Sequence, residues 1–155
     1  MKNKLIKEAD LPSVLEEFSR PLVFTNGVFD ILHRGHVTYL DAARSLGETL
    51  VVALNSDSSV RTLGKGPDRP INSEEDRAIV LMALEAVDHV IIFEESTPCS
   101  LIRKIRPEIY VKGGDYDMEE LEETRIVKAW GGKSLALPFV KGFSTTSALG
   151  KMANS

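Results

Sequence analysis

Two histidines, His33 and His36, stand three residues apart with Gly35 between them. Roughly one helical turn separates them, so both imidazoles would face the same way. They follow an apolar run at residues 21–25 that reads as a buried strand. They precede residues 37–46, where Tyr39, Ala42, Ala43 and Leu46 recur at helical spacing. A helix start offers free N–H groups and the positive end of its dipole to an anion. Imidazole donors beside it would reach the same phosphates, and Gly35, having no Cβ, would let a ligand approach the backbone. A lone histidine more often serves as a cap or core partner; a spaced pair at a strand-to-helix turn points to phosphate chemistry.

The elements that must hold this pair alternate in type. Strands are expected at 21–25, 50–54, 89–93, 109–111 and 134–137. The second is apolar throughout, as in a parallel strand covered on both faces. Between the strands lie helical patterns. Asp10 would cap a short first helix carrying the stripe Leu11, Val14, Leu15 and Phe18, with Pro12 in its first turn. Asn72 with Glu75 reads as a capping box for a helix with Val80, Ala83, Leu84 and Val87 on its apolar face. Thr97 would cap another, and a further helix is expected over 119–130. Phe143 to Ser147 lead into a last short one. Strand–helix alternation means an α/β fold, a single doubly wound domain over 1–155 with a five-stranded parallel sheet and a lead-in at 1–20. Ligands in such sheets bind beyond the carboxyl ends of the strands. The unusual segments 26–36, 55–72, 112–116 and 141–147 all follow strand ends, which places them at one site. The loop 64–70 holds two glycines and two prolines, so it is not regular structure.

Composition excludes several classes. The chain of 155 residues carries a net charge of −4, which argues against a nucleic-acid surface. No apolar run approaches the ~18 residues of a membrane span, and the N-terminus lacks a signal-peptide core. Cys99 is the one cysteine, read as a reduced cytosolic thiol without a chemical role.

The string T-N-G-V-F-D-I-L-H-R-G-H at 25–36 resembles the HxGH α/β nucleotidyltransferase superfamily, as does S-T-T at 144–146. With N-S-D at 55–57, R-P at 69–70, A-L-E-A-V-D at 83–88 and V-K-G-G-D-Y at 111–116, residues 20–150 are similar to the bacterial heptose-1-phosphate adenylyltransferases. That resemblance implies a Rossmann-like domain that joins ATP to a heptose 1-phosphate, giving ADP-heptose and pyrophosphate for the lipopolysaccharide inner core. A sugar phosphate is already an anion at pH 7, so its oxygen needs no general base. The enzyme supplies alignment and charge neutralisation.

By position, His33 and His36 would then bind the ATP phosphates and stabilise the transition state, with Lys65 swinging over the β- and γ-phosphates. Thr25, Asn26, Gly27 and Phe29 would line the nucleotide. Lys112, Gly113, Gly114 and Asp115 would border the ribose or base, and Ser144, Thr145 and Thr146 would present hydroxyls and N–H groups to phosphate. Arg69 and Arg77 would grip the sugar phosphate, although a helix-surface salt bridge to Glu74 or Glu75 suits Arg77 equally. Asn55 and Asp57 would meet heptose hydroxyls or serve as turn and cap. Asp30 would orient His33, a ligand hydroxyl, or neither. Tyr110, Tyr116 and Trp130 read as packing or pocket wall. Mg²⁺ would come with ATP, held by phosphates and water, because no carboxylate cluster is apparent. The resemblance further implies a cytoplasmic homo-oligomer served by a separate sugar kinase and phosphatase. A cytidylyltransferase for a polyol phosphate such as glycerol 3-phosphate shares H-x-G-H and S-T-T; a non-catalytic nucleotide sensor is the reading from another class.

Overall fold

In a computed structural model, five strands form one parallel sheet in the order β3-β2-β1-β4-β5. They are β1 (Leu22–Gly27), β2 (Thr49–Asn55), β3 (His89–Phe93), β4 (Ile109–Gly113) and β5 (Lys133–Leu137). The structure describes residues 3–138, residue 142 and residues 145–154, with the side chains of Thr145 and Ser147 outside that description. The helices are α1 (Leu11–Val14), α2 (Arg34–Arg44), α3 (Asp57–Thr62), α4 (Glu74–Met82), α5 (Cys99–Ile105), α6 (Glu122–Lys128) and α7 (Thr145–Ala153).

Strand side chains alternate between two cores, as a period of two requires. Val23, Leu50, Val52, Leu54, Val90 and Val111 pack with Tyr39, Leu40 and Ala43 of α2 and Ala78 and Leu81 of α4. Leu22, Phe24, Val51, Ala53, Ile91, Phe93 and Tyr110 pack on the other face with α1, α5 and α6. Every residue of β2 is buried, as its unbroken apolar run demanded. The chain start lies along the outer edge of β3, where the Ile6 N–H donates to the Val90 carbonyl at 2.9 Å.

Several local expectations are corrected. The first helix is three short turns, and Asp10 makes no side-chain cap bond. Ser73, not Asn72, caps α4 by accepting from the Asp76 N–H at 3.2 Å. Helix α4 turns Arg77, Ala78, Leu81 and Met82 inward, leaving Val80 48% exposed. Pro98 rather than Thr97 sits at the α5 cap. The expected helix over 119–130 is a 3-10 turn (Met118–Glu120) followed by α6. Asn26 and Gly27 belong to β1 rather than to the loop after it.

Candidate active site

Strand order reverses between β1 and β4, so a crevice opens where their carboxyl ends diverge. A cavity of about 370 Å³ lies there. Asn26 to Phe29 form its floor, and Asn55, Lys65, Lys112 and Gly113 close it on either side with His36 and Tyr39 of α2.

His33 is the N-cap of α2, with its backbone extended at φ −139° and ψ 176°. Its Nδ1 accepts the Gly35 N–H at 3.1 Å, and the His36 Nδ1 accepts the His33 N–H at 3.4 Å. The rings stack with centroids 3.9 Å apart, and Phe29 tilts against His36 at 5.4 Å. A nitrogen that accepts an N–H carries no proton, so each neutral ring holds its proton on Nε2. Burial lowers both pKa values; His36, whose shift the neighbouring His33 reinforces, falls to about 4. Both imidazoles are therefore neutral Nε2–H donors at pH 7. The Gly35 amide is spent on the His33 ring rather than left free. The helix start is thus capped by imidazoles rather than left with a bare Gly35 amide.

Phe29 reaches this position only with φ at +47°, which side-chain-bearing residues rarely adopt. Gly27 is required by the same ring: a Cβ there would lie 2.8 Å from Phe29 Cε2. Asn26 Oδ1 accepts from the Tyr110 hydroxyl at 2.8 Å, which leaves the amide nitrogen as the donor it offers. Thr25 is fully buried and its hydroxyl bonds to that of Tyr39, so only its backbone adjoins the site. Lys65 stands exposed on the cavity rim between Gly64 and Gly66, both at positive φ. The Lys112 ammonium lies 4.3 Å from the Tyr116 ring centroid.

Arg69 and Arg77, expected on the sugar phosphate, are bonded to Asp30 and Asp57. Asp30 is buried; its carboxylate accepts from the Arg69 Nε at 2.7 Å, and from the N–H groups of Ile71 and Asn72 at 2.9–3.0 Å. Burial alone would raise its pKa, but those donors together hold it below the usual carboxylate value. Arg77 is 2% exposed. Its guanidinium donates to the carbonyls of Asn72, Val28 and Asn55 at 2.7–3.0 Å and to Asp57 Oδ1 at 2.7 Å. These contacts pin the loop over residues 69–72 and the ends of β1 and β2. They do not fit a grip on the sugar phosphate by Arg77, and its ion-pair partner is Asp57, not Glu74 or Glu75.

Asn55 does reach the cavity wall while donating to Ser59 Oγ at 2.9 Å. Gly114 ties β4 to β5 through its N–H on the Leu137 carbonyl at 2.8 Å, and Asp115 is exposed; neither lines the cavity. Ser144 and the Thr145 side chain lie outside the described residues; Thr146, on the first turn of α7, is exposed and away from the lining. Sequence reasoning missed Ser96, Thr97 and Glu123, which also line the cavity. The signal for the first two was available, because 96–98 also follow a strand end.

Parallel strands in this order, with paired imidazole donors at the switch point, define a nucleotidyltransferase-type site, and the chain belongs to the cytidylyltransferase-like family, whose model matches residues 24–147. Within it, the chain is similar to D-beta-D-heptose 1-phosphate adenylyltransferase of Bordetella bronchiseptica, at 58% identity over 97% of this chain and 94% of that one. Bifunctional protein HldE of Methylobacillus flagellatus is 53% identical over 86% of this chain, which spans 27% of that protein's length. Among solved structures, the lipopolysaccharide core biosynthesis protein from Thermoplasma volcanium GSS1 superposes with a TM-score of 0.64 and 32% identity, covering 77% of this chain and 96% of that one.

Proposed function

We propose that this chain transfers AMP from ATP to a heptose 1-phosphate, releasing pyrophosphate and supplying ADP-heptose to the lipopolysaccharide inner core. The observation that carries the reading is the 58% identity, over nearly the full length of both chains, to a heptose 1-phosphate adenylyltransferase. The site chemistry supports it. An oxygen of the sugar phosphate attacks the α-phosphorus, that O–P bond forms, and the bond to the β-phosphate oxygen breaks. No side chain need accept a proton.

The protein's part is to align two anions and to meet charge moving onto the leaving pyrophosphate. His33 and His36 donate Nε2–H bonds to the phosphates, Asn26 adds its amide N–H, and Lys65 closes over the triphosphate on its glycine-flanked loop. Lys112 borders the nucleotide. Among the described residues no group of three or more His, Cys, Asp or Glu could hold a metal ion; Mg²⁺ would travel on the triphosphate and neutralise part of its charge. Arg69 and Asp30 act on this reading by holding the loop that borders the sugar phosphate. The acceptor arrives phosphorylated, so a sugar kinase precedes this step, in the cytoplasm where ATP is held. Association of copies of the chain belongs to the same reading.

The test is incubation with ATP and heptose 1-phosphate, with products identified by mass. ADP-heptose with pyrophosphate is expected. Preference for CTP with glycerol 3-phosphate would reject the assignment, and ATP binding without any turnover would favour a sensor.

A further inference from the structure

The cavity lining mixes groups of opposite charge. His36, Lys65 and Lys112 supply donors or positive charge to it. Glu123, on the first turn of α6, lines the same cavity, as do Ser96 and Thr97 of the loop after β3. Among the described residues no Lys or Arg side chain forms a salt bridge with Glu123, although two lysines line the same cavity. The Lys112 ammonium sits over Tyr116 instead. Glu123 is partly buried at this lining, and after burial its negative charge is the next cause that raises the Tyr110 phenol above its ordinary pKa.

An unpaired carboxylate facing a polyanionic ligand costs Coulomb energy unless the part of the ligand beside it is neutral and donates hydrogen bonds. Sugar hydroxyls meet that requirement. A carboxylate accepts from two adjacent hydroxyls, and neighbouring Ser and Thr hydroxyls both donate and accept. We propose that Glu123, which shares the cavity with Ser96 and Thr97, is the hydroxyl acceptor for a sugar diol and fixes which end of the bound substrates faces α6. The inference rests on the sugar-nucleotide reading above. Two diols satisfy the chemistry, the ribose of ATP and the ring hydroxyls of the acceptor sugar.

Calorimetric binding separates these sources without requiring turnover. Dissociation constants are measured for ATP, 2′-deoxy-ATP and the sugar 1-phosphate with wild type, Glu123→Gln, Glu123→Ala and the exposed control Glu120→Gln. The expected result is at least about tenfold weaker binding of one ligand to both Glu123 variants, equal to about 1.4 kcal/mol, with melting temperature unchanged. If the loss falls on the sugar phosphate alone, the diol is the acceptor's. If it falls on ATP and abolishes discrimination against 2′-deoxy-ATP, the diol is the ribose. Changes under twofold for all ligands, or losses that match those of Glu120→Gln or track unfolding, overturn the proposal. Wild type that binds both ligands yet makes no ADP-heptose removes the assigned reaction while the Glu123 comparison still reads. Wild type that binds neither ligand removes both.

Discussion

Two polar clusters flank Phe29, and they differ in where their hydrogen bonds go. His33 and His36 each accept a backbone N–H at Nδ1, which puts the ring proton on Nε2. Asp30 and Arg77 spend their hydrogen bonds on Arg69, Asp57 and loop backbone. Both clusters are built from residues that carry phosphate or sugar chemistry elsewhere. What separates an active group from a brace is burial together with satisfied partners: Arg77 is 2% exposed, and four of its hydrogen bonds end on protein atoms. The brace fixes the backbone that the donor cluster needs, since Arg77 holds the carbonyl of Val28 next to Phe29.

Substitutions should split along that line. Arg77→Ala strands three carbonyls and the Asp57 carboxylate, and stability in urea should fall by about 3–5 kcal/mol. Arg77→Lys should recover little of it, because one ammonium cannot replace a planar fork. A folded, near-wild-type Arg77→Ala enzyme would erase the distinction between the clusters. His36→Ala should act in the opposite sense, lowering kcat by about 10²–10³-fold, as the loss of one transition-state donor does. His33→Ala should lose similar activity and about 1 kcal/mol of stability as well, because its ring makes the shorter of the two reciprocal cap bonds, 3.1 Å against 3.4 Å.

Gly27→Ala should cost about 1–3 kcal/mol, read by thermal melting, because the new methyl must displace the Phe29 ring. The pH dependence sharpens the comparison further. Below pH 6.5 the unfolded chain takes up a proton at His36 that the folded chain refuses until about pH 4. The unfolded state then binds more protons, so stability falls as pH is lowered through that window. Urea titrations at stepped pH should show this slope, and His36→Gln should remove the part due to His36. Lys65→Ala should have the smallest effect on the fold, with melting unchanged and kcat reduced by about tenfold through loss of one mobile charge.

Much of the architecture was legible because β2 is apolar at nearly every position and the helices between strands carry clear periodic stripes. The paired histidines were legible because their spacing and setting were local. What was hidden was non-local. Asn72 looked like a cap; instead its N–H and amide both serve Asp30, 42 positions away in the chain, and Ser73 takes over the capping. Arg77 looked like a surface residue of an amphipathic helix; its partners come from Val28, Asn55 and Asp57, and burying it turns Val80 outward. Glu123 gave no sign at all, since only the packing of α6 against the sheet brings it to the cavity.

The account depends on two neutral imidazoles that accept at Nδ1 and donate at Nε2 toward phosphate. Long-range ¹H–¹⁵N correlation spectra of the histidine side chains report both points directly. At pH 7 His33 and His36 should each show the Nε2–H tautomer, with both Nε2–H signals moving downfield when a non-hydrolysable ATP analogue binds. An Nδ1–H tautomer or an imidazolium at either position, or Nε2–H signals that ignore the nucleotide, would contradict the central claim.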